Sequence, residues 1–236
     1  MHTVLTGDRL YVTVDILILT ENNGSLKLLL ARRPHPPYEG SWALPGRFVG
    51  LDESAEAAVE KLLSEMLPIQ NAFQEQLFTF TDPGRDPRGR VISTAYLVII
   101  PWEQLAPAMQ DENVKLHCFS VSNGENSLLL TSEDGQALDS SELAFDHEKI
   151  IRTGITRLQG KIDYTDIGFR FLNDPEAFSL GEIQRVFEAV LEKTLDTSNF
   201  RRSILGRYEA AGRIRLTEGA RKQGRGRPAA LYCYLP

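Results

Sequence analysis

Ser179-Leu-Gly-Glu-Ile-Gln-Arg-Val-Phe-Glu-Ala-Val-Leu191 followed by Thr194-Leu-Asp-Thr-Ser-Asn-Phe-Arg-Arg-Ser-Ile-Leu205 is the stretch that decides the fold. Ser179 and Glu182 make a capping box, the serine side chain taking the third amide of a helix and the glutamate bonding back. Leu180, Ile183, Phe187, Val190 and Leu191 then recur at helical spacing as an apolar stripe. Thr194 to Thr197 is a short polar connection, after which Phe200, Ile204 and Leu205 supply the inner face of a second short helix. Its start and outer face carry Ser198, Asn199, Arg201, Arg202 and Ser203, all hydrogen-bond donors.

A capped helix, a tight turn and a donor-rich second helix are the order of a helix-turn-helix, whose second helix offers its N-terminal residues to base edges in a major groove. Outward from it, Arg213 to Leu216 and Ala230 to Leu235 read as strands flanking Glu218-Gly-Ala-Arg-Lys-Gln-Gly-Arg-Gly-Arg-Pro228. Such a Gly-rich basic hairpin is similar to the wing of a winged helix, because glycine removes bulk while arginine supplies charge for phosphate. The candidate DNA contacts are Thr197, Ser198, Asn199, Arg201 and Arg202 on the helix, with Arg221, Lys222, Arg225 and Arg227 on the wing.

Charge is divided in the same way. The formal net charge is -6, yet residues 199–230 hold nine Lys or Arg against two Glu, a local +7 that leaves -13 for the rest of the chain. An acidic body with a basic appendage confines polyanion binding to the appendage. With 236 residues, 42% hydrophobic and 25% charged, the chain has the composition of a globular protein of one large or two modest domains. Cys118 and Cys233 are its two cysteines, far apart and beside apolar residues, which excludes a disulfide framework and a Cys-rich zinc site. No apolar run approaches the ~18 residues of a membrane span and residues 1–10 lack the order of a secretory signal, so the expectation is a soluble, intracellular protein.

In the first part, Val12 to Leu19 and Leu26 to Ala31 read as paired strands around the turn Glu21-Asn-Asn-Gly24, and Ser54 to Met66 as a capped helix with Val59, Leu62, Leu63 and Met66 inward. Val91 to Ile100 and Ser127 to Thr131 are further strands, so this part mixes α and β. Leu105 to Asp139 reads as mostly polar chain with turns at 122–124 and 133–135. Asp146 to Leu158 has helical periodicity and is expected to join two domains, with the boundary near Gly160.

The segment Trp42-Ala-Leu-Pro-Gly-Arg-Phe-Val-Gly-Leu-Asp-Glu53 through Lys61-Leu-Leu-Ser-Glu65-Met-Leu-Pro-Ile69 resembles a degraded Nudix box. The intact pattern runs Gly, five residues, Glu, seven residues, Arg-Glu, an aliphatic, any residue, Glu-Glu, any residue, Gly, an aliphatic. Its first Gly falls on Arg47, its first Glu on Glu53, its Arg-Glu on Lys61-Leu62, its Glu-Glu on Glu65-Met66 and its second Gly on Pro68. Residues i, i+3 and i+4 share a helix face, so an intact box turns three carboxylates toward the Mg²⁺ that bridges a diphosphate. Here one remains, Glu65, and an isobutyl group and a thioether do not replace hard oxygen ligands. Loss or severe weakening of phosphoanhydride hydrolysis, and no bound metal or cofactor, are therefore expected; Glu53 and Glu65 also read as ordinary polar residues.

Arg32 and Arg33 before the box, Trp42 and Arg47 within it, and Arg85 and Arg88 before a strand supply guanidinium and aromatic groups suited to a nucleoside diphosphate, although each alone fits a surface ion pair equally well. With Thr79 to Gly89, Ala144-Phe-Asp-His147, Gly160 to Thr165, Ser198-Asn-Phe-Arg-Arg202 and Gly226 to Tyr232, the whole chain resembles the Nudix-related transcriptional regulators of NAD metabolism.

The resemblance implies an α+β chain: an N-terminal Nudix-like α/β/α sandwich over 1–148 that senses a ligand, a linker helix over 149–160, and a C-terminal winged helix-turn-helix over 161–236. It implies a cytoplasmic homodimeric repressor, on the nucleoid when DNA-bound, that binds a palindromic double-stranded operator near NAD-biosynthesis or salvage genes. Its effector would be ADP-ribose or a related NAD metabolite, held by Arg32, Arg33, Trp42, Arg47, Glu53, Glu65, Arg85 and Arg88. Two alternatives stay open: an ADP-ribose pyrophosphatase with an accessory domain, and a sugar-responsive regulator of the same family.

Overall fold

The computed structural model describes residues 10–124, 127–221 and 228–236. β1 (Tyr11–Asn22) and β2 (Ser25–Arg32) form an antiparallel hairpin. Its Asn23-Gly24 turn has φ of 53° and 76°, a backbone that these two residues tolerate best. β3 (Trp42–Ala43) pairs with β2 and β4 (Gly46–Phe48) with β1. α1 (Ala55–Met66) follows, its first turn capped by the Ser54 hydroxyl, which accepts from the Ala57 amide.

The chain continues through β5 (Phe73–Phe80), β6 (Val91–Ile99), α2 (Trp102–Ala108), β7 (Leu116–Asn123), β8 (Leu128–Ser132), β9 (Ala137–Leu138) and α3 (His147–Lys161). Among the described residues, nine strands make one mixed sheet in the order β5-β6-β1-β2-β7-β8-β9, with β3 and β4 at its side. β1 and β6 run parallel over Tyr11 to Leu19, buried on both sides as their near-continuous apolar runs require.

Strand alternation divides the core in two. Val14, Ile16 and Ile18 point to the face covered by α1 and α2, through Val59, Leu62, Leu63 and Leu105. Leu17 and Leu19 point to the other face, where α3 brings Ile150, Ile151, Ile155 and Leu158. Residues 149–160, read from the sequence as a connecting helix, are thus a packed layer of the α/β/α sandwich. At Gly154 a Cβ would sit 2.2 Å from Leu17 Cδ2, so glycine is what lets α3 lie this close to β1.

Beyond α3, a 3-10 turn (Ile167–Phe171) leads to β10 (Phe178–Ser179), α4 (Leu180–Leu191), α5 (Thr197–Ile204), a π-helical turn (Leu205–Glu209), β11 (Ile214–Arg221) and β12 (Ala229–Tyr234). The capping box forms as read: the Ser179 hydroxyl accepts from the Glu182 amide at 3.2 Å, and the Ser179 amide donates to Glu182 Oε2 at 2.7 Å. The three strands order as β10-β12-β11 beside the helix pair, a winged helix. Ile183, Phe187 and Phe200 belong to the same buried cluster as Leu17 and Leu19, so the body and the winged helix share one core.

Several elements depart from the sequence reading. The polar stretch 105–139 contains the end of α2, all of β7 and β9, and a capped 3-10 turn at Ser140–Glu142 follows it. β5, Phe-Gln-Glu-Gln-Leu-Phe-Thr-Phe, carries too many polar residues for its alternation to stand out. α5 is capped by Asp196, whose carboxylate accepts from the Asn199 amide at 2.8 Å. Cys118 is buried, its thiol pushed up to about 11 by burial, whereas Cys233 is half-buried. No helix among the described residues is long and apolar enough to cross a membrane.

Candidate functional site

β4 can lie against β1 because residue 46 is glycine: a Cβ there would meet Asp15 Oδ1 at 2.2 Å and the Val14 carbonyl at 2.9 Å. This approach closes one wall of a cavity of about 130 Å³ lined by Asp15, Arg33, Arg47, Arg85, Arg88 and His147, among others. A space of that size takes a phosphate-sized group, well short of the ~300 Å³ or more that encloses a whole small-molecule ligand.

The floor is a buried charge network. Arg85, with a side chain 4% exposed, donates to Asp146 through Nε at 3.0 Å and Nη2 at 2.7 Å, and its Nη2 also reaches Asp15 Oδ2 at 3.2 Å. Burial alone would lower the Arg85 pKa, but the two carboxylates outweigh it and hold the guanidinium firmly charged. Asp15 also accepts from the Ser93 hydroxyl. His147 is buried, and its Nδ1 accepts from the Leu44 amide at 2.8 Å, which puts the proton on Nε2, 3.8 Å from Asp15 Oδ1. Desolvation lowers the His147 pKa despite Asp15 and Asp146, so the ring is neutral.

The rim is held more loosely. Arg88 donates to Asp86 at 2.7 Å and its guanidinium lies over Phe145 and Phe48. Burial would raise the Asp86 carboxyl, and Arg88 with Arg85 brings it below its ordinary value. Arg33 donates to the Pro37 carbonyl at 2.7 Å and lies over Phe145; desolvation and Arg88 lower its pKa. Arg47 Nη2 is 3.3 Å from Glu53 Oε1, while Arg47 Nη1 is buried without a hydrogen-bond partner.

On α1, the box positions fall on different surfaces. Leu62 is 7% exposed and packs in the core, Met66 is half-buried against the same cluster, and Glu65 is exposed. Glu56 instead accepts from the Tyr96 hydroxyl at 3.0 Å, at the start of the helix. Among the described residues no three His, Cys, Asp or Glu side chains converge as a metal site would need. These residues do not fit the Mg²⁺ of an intact box.

The structure separates the residues expected to hold a ligand. Arg33, Arg47, Arg85 and Arg88 line this cavity and Glu53 touches it through Arg47. Arg32 and Trp42 line a different, larger cavity of about 740 Å³, where the Arg32 guanidinium lies 4.4 Å from the indole centroid. Trp42 is 8% exposed and packs edge-on against His117 and Phe119, which makes it a core residue at a cavity wall. Glu65 faces solvent on α1. Asp15, Phe145, Asp146 and His147 are site residues that sequence reasoning did not assign. The signal was present: Asp15 is a lone charge in the apolar strand Val-Thr-Val-Asp-Ile-Leu-Ile-Leu, which burial makes costly unless it is paired.

The second surface is α5. Phe200 and Ile204 anchor it, Phe200 edge-on to Phe187 of α4 at 5.2 Å between ring centroids. That leaves Thr197, Ser198, Asn199, Arg201, Arg202 and Ser203 exposed. The Thr197 hydroxyl accepts from Gln184 Nε2 at 3.4 Å, and Arg202 donates to the Asn199 side chain. Arg221 ends β11, and Lys222, Arg225 and Arg227 lie outside the described residues.

Comparison with known proteins matches residues 168–234 to the NrtR DNA-binding winged helix domain and residues 9–138 to the NUDIX domain. The chain is 31% identical over 223 residues to the "ADPR responsive transcriptional repressor NtrR" of Acinetobacter baylyi, covering 94% of this chain and 80% of that one. It is 32% identical over 141 residues to an ADP-ribose pyrophosphatase of Methanocaldococcus jannaschii, covering 60% and 70%. Among solved structures, Shewanella oneidensis NrtR complexed with a 27mer DNA superposes with a TM-score of 0.73 at 31% identity, over 95% of this chain and 93% of that one.

Proposed function

The chain belongs to the NrtR family of transcriptional regulators, which join a Nudix domain to a winged helix, and from that premise we propose that it is a DNA-binding repressor of NAD-biosynthesis or salvage genes whose Nudix domain senses ADP-ribose. The observation that carries the reading is α5: an exposed row of donors, Asn199, Arg201 and Arg202, on a helix pinned by Phe200 and Ile204 to the core that also holds the arginine-lined cavity. Asn and Arg side chains at a recognition-helix N-terminus can pair bidentately with adenine and guanine edges. Wing residues Arg221, Lys222, Arg225 and Arg227 would meet phosphate, and a two-fold dimer would place two such helices on palindromic half-sites.

In the cavity, Arg33, Arg47 and Arg88 take the diphosphate of ADP-ribose while the nucleoside lies outward. Arg85, paired with Asp15 and Asp146, ties β1 to the start of α3. At the other end of α3, Gln159 Nε2 donates to the Val190 carbonyl at 3.1 Å and to Glu192 at 3.3 Å, both at the C-terminus of α4. A ligand anion at Arg85 competes with Asp146, shifts α3, and so moves α4 and the helix it supports. An effector releases DNA only by binding the DNA-incompetent arrangement more tightly, a coupling of typically about 1 to 3 kcal/mol.

The box substitutions at 62 and 66 remove two expected carboxylates, so the repressor has no phosphoanhydride hydrolysis of its own. Similarity to an ADP-ribose pyrophosphatase is what favours the enzymatic reading. That reading requires release of AMP and ribose 5-phosphate in Mg²⁺ or Mn²⁺. Fluorescence anisotropy of labelled DNA from upstream of NAD-salvage genes, with the R201A/R202A double variant alongside, tests the regulator. Loss of DNA binding with ADP-ribose affinity retained supports the assignment; unchanged DNA affinity refutes it.

A further inference from the structure

We propose that Arg47 does for the effector's phosphate what a divalent metal does in an intact Nudix box, so that this chain recognises its ligand without a metal ion. The inference rests on the reading that ADP-ribose occupies the arginine-lined cavity.

Arg47 stands where the box has its first glycine. It lies on β4, paired with Val14 of β1, and lines the cavity with Arg33, Arg85 and Arg88. Each of the other three has at least one donor engaged, and none of their nitrogens is buried without a partner. Arg85 is held by Asp15 and Asp146, Arg88 by Asp86, and Arg33 by the Pro37 carbonyl. Arg47 differs, because Nη2 faces Glu53 at 3.3 Å while Nη1 is buried with no partner. A buried guanidinium nitrogen left without an acceptor is unfavourable, and an incoming phosphate oxygen relieves that cost with a charge-assisted bond.

The partner of Arg47 is informative too. Glu53 is the first glutamate of the box, and its Oε1 also accepts from the Gly50 amide at 2.7 Å. That carboxylate is therefore turned to a guanidinium and a loop amide. Meanwhile the helix positions that would complete a metal site are Leu62, packed in the core, and Met66, a thioether. Hard-cation ligands have been lost at the same box that has gained a fixed positive charge, and the charge sits at the cavity. A guanidinium is planar and permanently protonated, so it supplies positive charge and directed donors to a phosphate at any physiological pH and needs no dehydration of a bound ion.

Calorimetric titration of ADP-ribose into the full-length wild-type chain, once with Mg²⁺ and once with EDTA, tests this directly and involves no variant that could misfold. Equal affinity in the two buffers is expected. R47G, which restores the residue of the intact box, is expected to weaken binding at least tenfold in either buffer, with R47K between it and wild type and melting temperatures measured for all three. Binding that requires Mg²⁺, or R47G binding as tightly as wild type, would overturn the metal-free role and leave the repressor reading standing. Absence of ADP-ribose binding by wild type in both buffers would overturn the two together.

Discussion

The cavity and α5 both present arginine, and they hold it in opposite ways. In the cavity three of the four guanidiniums are pre-positioned by carboxylates: Arg85 between Asp15 and Asp146, Arg88 on Asp86, Arg47 on Glu53. On α5, no carboxylate among the described residues pairs with Arg201 or Arg202, and both are exposed. A small ligand carries few charges, so its site must be shaped and largely neutralised before the ligand arrives. A DNA backbone carries many, so its reader can leave charges solvated and gain from counterion release. The same side chain is thus held by carboxylates in one region and left solvated in the other, and α3 touches the cavity network at Asp146 and α4 at Gln159.

The contrast is sharpest under substitution. Replacing Arg85 by Met leaves Asp15 and Asp146 without their buried cation and is expected to cost about 3 to 5 kcal/mol of stability, read by urea denaturation. A loss below about 1 kcal/mol would mean that the network is solvated and not pre-positioned. On α5, R201A/R202A is expected to leave the urea midpoint nearly unchanged and to weaken operator binding by roughly 2 to 6 kcal/mol, each base contact contributing about 1 to 3 kcal/mol. If the double variant instead unfolds the chain, the two regions are not distinct in kind.

Two smaller effects refine the comparison. His147 has a folded pKa below its unfolded value of about 6.5, so the unfolded chain takes up the proton first. Stability is therefore fully present above that value and is lost as pH falls from about 6.5 toward the folded pKa, and H147N should flatten the trend in a thermal melt. Desolvation sets that direction, with Arg85 and Arg33 adding to it and Asp15 and Asp146 opposing it. On the wing, removing Lys222, Arg225 or Arg227 singly should reduce the slope of log affinity against log salt by about one for each phosphate no longer neutralised, with little change in sequence preference. An altered base preference would move those residues from phosphate to base readout.

Much of this was legible in the chain. The β1–β2 hairpin, the Ser54 cap, the Ser179-Glu182 box and the apolar stripes of α4 and α5 are local signals, written within a few residues of where they act. What escaped is non-local. β7, Leu-His-Cys-Phe-Ser-Val-Ser-Asn, is a strand because β2 lies beside it, and nothing within it outweighs its polar residues. The charge network joins positions 15, 85, 93, 146 and 147, whose meeting depends on parallel pairing of β1 with β6 and on α3 docking over β1. Trp42 illustrates the same limit: it reads from the sequence as a stacking surface for the ligand, whereas β7 supplies the His117 and Phe119 that bury it.

If the cavity and α5 are thermodynamically linked through α3, the linkage must be reciprocal, and reciprocity is its most direct test. The affinity of the full-length chain for operator DNA would be measured by anisotropy with and without saturating ADP-ribose, and its affinity for ADP-ribose by calorimetry with and without saturating DNA. Both affinities are expected to fall by the same factor, about 5- to 150-fold for a coupling of 1 to 3 kcal/mol. Tight DNA binding indifferent to ADP-ribose, with tight ADP-ribose binding indifferent to DNA, would contradict the linkage.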